Sequence, residues 1–533
     1  GNTTNDGTIT GGAGTVTFNG TVTNNGTGVI TGGNALMTFG DALADTVTNN
    51  GTITAGPVAD GSNAIIFTGS YAGGGGTLSG NVTTNPVICF RGASTTIGTF
   101  THNDDPIVFD GVGDQIFVPG GSGYAAVTVN KTTGTFTINA NPLSCTSLTL
   151  AGATPGAMTF SQNLTVSSTF SNAGGSFDVN FYGTTTQMPG ATFGTTGTVR
   201  LGDGGDTLTF DGGFTHTAGN TALNGTLATT NDNVTINALT LGGNSVINTG
   251  GAAGNIEIQG NTTVSAASTL RLDAGTGTID ITGTMGTLTS LEVTSASIAT
   301  FHNNITTNGA AGINITATAI RMDGLTINTS AGNGTVTFND PVQIDENLII
   351  TRGTGLVHFD STVDSEAGEN NNLTIDGAAG GPIEFAAAVG SGAGQELGDI
   401  LVSTTTGLTA SSSIEAASLT QSAGTGTTNL QAVTVSGTVS LTGAAMDLNG
   451  TVSAPGGFSS TGTGAGSTFN NTGTITTNNN DITITHGSAI TIGAALLANG
   501  TGDIVIDSTE STIGIGATVT TSTGAITVDA NGT

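Results

Sequence analysis

Asp481–Gly502 reads DITITHGSAITIGAALLANGTG, and the 22 residues that follow, Asp503–Gly524, read DIVIDSTESTIGIGATVTTSTG. Laid over each other, the two segments place Ile482 on Ile504, Ile484 on Ile506 and Leu497 on Val519, while Ile490 with Ile492 meets Ile513 with Ile515 after a slip of one residue. The same step of 22 links Ile475 to Leu497 upstream, and Ile504 and Ile506 to Ile526 and Val528 downstream. Within each segment Ile and Val alternate with Thr, Asp and other polar residues, so one set of side chains points inward and the other outward along short strands. Gly, Ser, Asn and Thr between the alternating runs mark corners, giving three strands per segment. A repeat of this length cannot cover its own apolar side and must be covered by its neighbours. The expected fold is all-β, a parallel β-helix (β-solenoid) with coils of about 21–25 residues.

The period persists upstream with small insertions. Leu430 and Val452 are 22 apart, and Val336, Phe338, Val342 and Asp345 are followed 21 residues later by Val357, Phe359, Val363 and Glu366. Thr21–Thr27 and Thr46–Thr52 carry the identical string TVTNNGT. Uneven corners are tolerable in a solenoid, because loops project outward while strands hold register. At roughly 4.8 Å per coil, about two dozen coils would form a rod on the order of 110 Å long. Fifteen of the 21 phenylalanines lie at or before Phe214, with all three tyrosines, both cysteines and Lys131. The expected division is therefore a Phe-rich, less regular section over 1–220, with Phe18, Phe39 and Phe67 as ladder positions, and a more regular section over 221–533, continuous with the first.

Composition supports strands and turns. With 88 glycines in 533 residues and 8% charged residues, helical packing is disfavoured, and the best helical period, Ile414 to Leu419, covers one or two turns. A formal charge of −30 with six scattered cations (Arg91, Lys131, Arg200, Arg271, Arg321, Arg352) argues against nucleic-acid and anionic-membrane partners, which need clustered positive charge. The acidic, lysine-poor surface suits an extracellular protein. Cys89 and Cys145 are too few for a disulfide framework, and both a single bridge and buried free thiols fit their apolar strand surroundings. No apolar run reaches the length of a membrane span, and membrane insertion is not expected.

Phe109-Asp110-Gly111-Val112-Gly113-Asp114-Gln115, followed by Val127-Thr128-Val129-Asn130 and Gly134-Thr135-Phe136-Thr137-Ile138, resembles a unit of the large bacterial β-strand-repeat surface proteins. The GDIVID segment beginning at Gly502 and the GAITVD segment beginning at Gly524 resemble filamentous-haemagglutinin-like exoproteins. The resemblance implies a right-handed parallel β-helix at the cell surface.

Parallel β-helices also include polysaccharide lyases and hydrolases, which need paired carboxylates or a base beside cationic or metal neutralisation. Asp110 with Asp114, or Asp203 with Asp206 and Asp211, supply carboxylates, but neither group has a cationic cluster nearby in sequence, and Trp is absent. No enzymatic activity and no required cofactor are expected. Gly202-Asp203-Gly204-Gly205-Asp206-Thr207-Leu208 fits the core of a Ca²⁺-binding nonapeptide, a site built from tandem copies, yet it occurs once and reads more simply as a Gly-Asp turn. Eleven of the 36 acidic residues fall between Asp340 and Asp399, opposed only by Arg352. The 21-residue step stacks Glu366 on Asp345, near Asp360 and Asp364, and these four are the candidate Ca²⁺ ligands, because a cation would relieve their repulsion.

Thr-x-Thr triplets at Thr15–Thr17, Thr52–Thr54, Thr335–Thr337 and Thr483–Thr485 invite an ice-binding or crystalline-polysaccharide reading. Threonine is equally an ordinary outward-facing strand residue, and the triplets recur at no constant spacing, which favours the plainer reading. Asn-Gly-Thr at Asn25 and Asn50 is first a turn signal. His102, His216, His302, His358 and His486 lie far apart and are assigned no role.

Repeat text at both ends, Asn5–Thr10 and Ala525–Thr533, points to stacking onto further coils, through more of the same polypeptide or a second copy head to tail. The expected function is non-enzymatic: an extracellular structural fibre of the cell surface or matrix. The alternatives are an adhesin stalk, with extracellular polysaccharide or other surface proteins as partners, and a polysaccharide-active enzyme.

Overall fold

The computed structural model describes residues 1–121, 123–152, 156–172 and 174–531. They form strands and turns with no helix, and the strands pair in parallel, each with its equivalent one coil away. The fold is a β-solenoid, divided into two compact units, Gly1–Gly260 and Asn261–Thr533. The change of composition near residue 220 falls inside the first unit, within the strand Thr198–Thr229. Gly532 and Thr533, at the end of the final repeat text, lie outside the described residues.

In the second unit the C-terminal repeat pairs largely as its pattern dictates. Ile482 faces Ile504 and then Ile526, Ile484 faces Ile506 and then Val528, and Ile490 and Ile492 face Ile513 and Ile515. One pairing needs correction. Leu496, not Leu497, lies between Ile475 and Val519, and Leu496 is buried while Leu497 faces outward. Two adjacent leucines fit the alternation equally well, and the length of the preceding corner selects between them.

The 21-residue pairing of Val336, Phe338 and Val342 with Val357, Phe359 and Val363 holds, while the two TVTNNGT strings pair over Val22–Asn24 with Val47–Asn49 but not at their ends, where Thr52 pairs with Val29 rather than Thr27. Leu430 and Val452 do not meet: Leu430 pairs with Leu448, and Val452 with Val433. Corner length varies enough that the step is only 18 residues there, whereas Leu373 meets Ile400 after 27. Ile414–Gln421 is a strand, not a helical turn, because its inward side chains are covered by paired strands on both sides.

The interior of the first unit is built from ladders. Phe18, Phe39, Phe67, Phe90 and Phe109 stack with ring centroids 4.9, 5.1, 5.1 and 5.4 Å apart, so the three expected positions extend to five. Beside them Asn5, Asn24 and Asn49 are buried one above another. Asn5 Nδ2 donates to Asn24 Oδ1 at 2.8 Å, Asn24 Nδ2 to Asn49 Oδ1 at 2.8 Å, and Asn49 Nδ2 to Tyr71 Oη at 3.1 Å. The ladder also satisfies backbone carbonyls, including those of Gly28 and Thr52. Gly51 has no room for a side chain there, since a Cβ would come within 2.1 Å of the Gly28 carbonyl oxygen. Cys89 and Cys145 are free and buried, and burial pushes both thiols up to about 12.

Candidate functional site

One face of the first unit stands apart as a separate five-stranded parallel sheet formed by Thr8–Thr10, Val29–Thr31, Thr52–Thr54, Thr77–Ser79 and Thr99–Thr101. Its central residues, Ile9, Ile30, Ile53, Leu78 and Phe100, point inward, and the last four are fully covered. The flanking residues point outward in two columns: Thr8, Val29, Thr52, Thr77 and Thr99, and Thr10, Thr31, Thr54, Ser79 and Thr101. Nine of these ten positions carry a hydroxyl. None of the nine hydroxyls has a hydrogen-bond partner among the described residues. The central residues step by 21, 23, 25 and 22. Uneven spacing in sequence therefore does not prevent alignment in space, because corners on the other sides of each coil absorb the extra residues.

A glycine precedes every one of these strands: Gly7, Gly28, Gly51, Gly76 and Gly98. Gly11, Gly32 and Gly80 follow three of them. No bulky side chain rises at those flanks. The motif Gly-(Thr/Val)-(Ile/Leu/Phe)-(Thr/Ser) is the sequence signal that identifies the face; a search for Thr-x-Thr alone finds only Thr52–Thr54 among the four triplets singled out. The other three lie in the strands Val16–Phe18, Val336–Phe338 and Ile482–His486, away from this sheet.

The acidic candidates of the second unit occupy a corner column. Backbone hydrogen bonds from Asp323 to Phe301, from Asp345 to Met322 and from Glu366 to Ile344 place these acids one above another, with His302 at the next level. The acids are engaged separately. Asp345 Oδ2 is 3.8 Å from Arg321 Nη1, Asp360 Oδ1 is 3.4 Å from His358 Nε2, and Asp364 Oδ1 accepts from the Ser391 amide at 3.0 Å. Burial raises the Asp345 carboxyl above its ordinary range, opposed by Arg321 and reinforced by Glu366. Among the described residues no three His, Cys, Asp or Glu side chains converge to hold a metal ion. Arg352 does not oppose this charge as its sequence position implies. It is buried, and its guanidinium donates to the Thr404 carbonyl at 2.8 Å.

Three of the five carboxylates considered for hydrolysis, Asp110, Asp114 and Asp206, are likewise committed. Asp110 makes a two-pronged ion pair with Arg91, a single cation supplied by the adjacent coil. Asp114 accepts from the Thr135 amide and hydroxyl, and these bonds hold its carboxyl below the usual range. Asp206 Oδ2 accepts from the amides of Asp203 and Gly204 at 2.7 and 3.2 Å, the geometry of a self-capped Gly-Asp turn. Two histidines join coils through acids: His302 stands 3.0 Å from Asp280 and 2.7 Å from Asp323, and His358 stands 3.1 Å from Glu384. Comparison of the chain with family models, curated proteins and solved structures finds no match.

Proposed function

We propose that the protein is a non-enzymatic structural element of a bacterial cell surface or extracellular matrix, in which coils continue end to end as a stiff fibre. The observation that carries this reading is the last complete ladder. Phe458, Ile482 and Ile504 pair in register and are buried, as are Ile484 and Ile506, so each coil covers the apolar side of its neighbour. Stacking held by such in-register ladders extends by repetition of the same coil, whether of the same polypeptide or of a second copy. The acidic, lysine-poor composition and the resemblance to β-strand-repeat and haemagglutinin-like exoproteins support placement outside the cell. Electron microscopy of the full chain with and without chelator tests the reading: regular filaments are expected. Single tapered particles at all concentrations would replace it with the adhesin-stalk alternative, and release of reducing ends from acidic polysaccharide would replace it with the enzymatic one.

A further inference from the structure

The hydroxyl face of the first unit has the properties of a surface for ordered water, and we infer that it binds the lattice of ice. Along the stacking direction its side chains repeat at about 4.8 Å, and across each strand the two columns are about 6.6 Å apart, twice the rise per residue. Oxygen rows on a prism face of hexagonal ice also form a rectangular grid, with a short repeat near the strand spacing and a longer one somewhat above the column separation. Threonine offers a methyl and a hydroxyl on a β-branched carbon whose rotamer the strand restricts, so the array is ordered before it meets a ligand. The hydroxyls of Thr8, Thr10, Thr31, Thr52, Thr54 and their neighbours have no partner among the described residues and are free to hold water.

Charge and shape choose between ice and other regular surfaces. The chain carries 36 acidic residues, yet none lies in these five strands, and no cation does either. A neutral face fits a neutral lattice, whereas binding to a charged mineral or polyanion requires side chains this face lacks. Crystalline polysaccharide is gripped through aromatic platforms, and the single aromatic residue in the five strands, Phe100, points inward. The inference holds whether or not the coils continue into a fibre, because the face lies on the side of the stack rather than at its edge.

The test uses the full chain and measures thermal hysteresis and partition into a slowly growing ice hemisphere. The parent protein is expected to concentrate in ice several-fold over a non-binding globular protein. Thr31→Tyr, flanked in its column by Thr10 and Thr54, and Thr10→Tyr, next to it in the same column, should both abolish the enrichment, with circular dichroism and melting temperature as checks on folding. Thr483→Tyr, on an outward position of the second unit, should retain it. Exclusion of the parent protein from ice would overturn the inference, as would full enrichment of T31Y. Capture on crystalline chitin or cellulose that T31Y abolishes, without enrichment in ice, would assign the face to polysaccharide instead.

Discussion

Asp105 is fully buried in the first unit, where its Oδ2 accepts the Asn81 amide at 2.7 Å and its Oδ1 has no partner. Burial pushes its carboxyl up to about 7, the Asn81 hydrogen bond opposes the rise, and the nearby Asp104 and Asp60 add to it. The folded chain therefore keeps a proton that the unfolded chain releases above about pH 4. The stabilisation is fully present below the ordinary carboxyl range and is lost as pH rises through about 7, to an upper bound of roughly 4 kcal/mol. Asp105→Asn preserves the acceptor for Asn81 and removes the charge. Thermal melts should show the variant more stable than the parent at pH 8 and nearly equal at pH 4; equal melting at pH 8 would mean that the carboxylate is not desolvated. In sequence, Asn103-Asp104-Asp105-Pro106 reads as a solvated turn, and nothing local reveals that Asp105 turns under a corner contributed by the preceding coil. The same holds for the cations. Arg91, Arg200, Arg271 and Arg321 are scattered along the chain, yet each lies within 4 Å of an acid one coil away.

Strands in this fold are short, so the choice of inward residue is made by two or three side chains at a time. Leu496 and Leu497 form the sharpest case. Leu496→Ala removes side-chain volume from the covered interior between Ile475 and Val519 and should cost about 2–5 kcal/mol. Leu497→Ala removes an outward side chain and should stay within about 0.5 kcal/mol. Denaturant titration with a probe in the second unit compares them, and a larger loss for Leu497→Ala than for Leu496→Ala would restore the 22-residue pairing in place of the observed one. The aromatic and asparagine ladders of the first unit obey the same logic with different energies. Stacked rings add about 0.5–1.5 kcal/mol per pair beyond their buried area, while each buried asparagine amide must find its partners or cost about 1–3 kcal/mol. Phe18, Phe39 and Phe67 were legible as a ladder because aromatic residues recur with the coil. The asparagines were not, because Asn beside Gly reads as a corner exposed to water, and only stacking turns its side chain inward.

In a stack of coils most contacts join neighbouring coils, and its stability is close to a sum over neighbours. Removing the whole coil Asp481–Gly502 joins Asn480 to Asp503 and lets Ile504 take the place of Ile482 on Phe458. The shortened chain should keep its β-rich circular dichroism and melt cooperatively, with a modest loss of melting temperature. Deleting only 481–491 leaves half a coil, moves aliphatic residues out of their ladders, and should produce aggregation or a broad melt; if the two deletions behave alike, coil register is not what holds this region together. The sequence by itself determined that the chain is all-β, that its strands alternate inward and outward, and that coils of about 22 residues stack, because alternation and period are local properties written into every repeat. Only the tertiary structure decided which of two adjacent leucines is covered, where cations meet acids, and that five triplets spaced unevenly along the chain form one neutral hydroxyl face. Those outcomes depend on how much chain each corner takes up, and a corner of small polar residues can hold a different number of them without leaving a mark on the strands it joins.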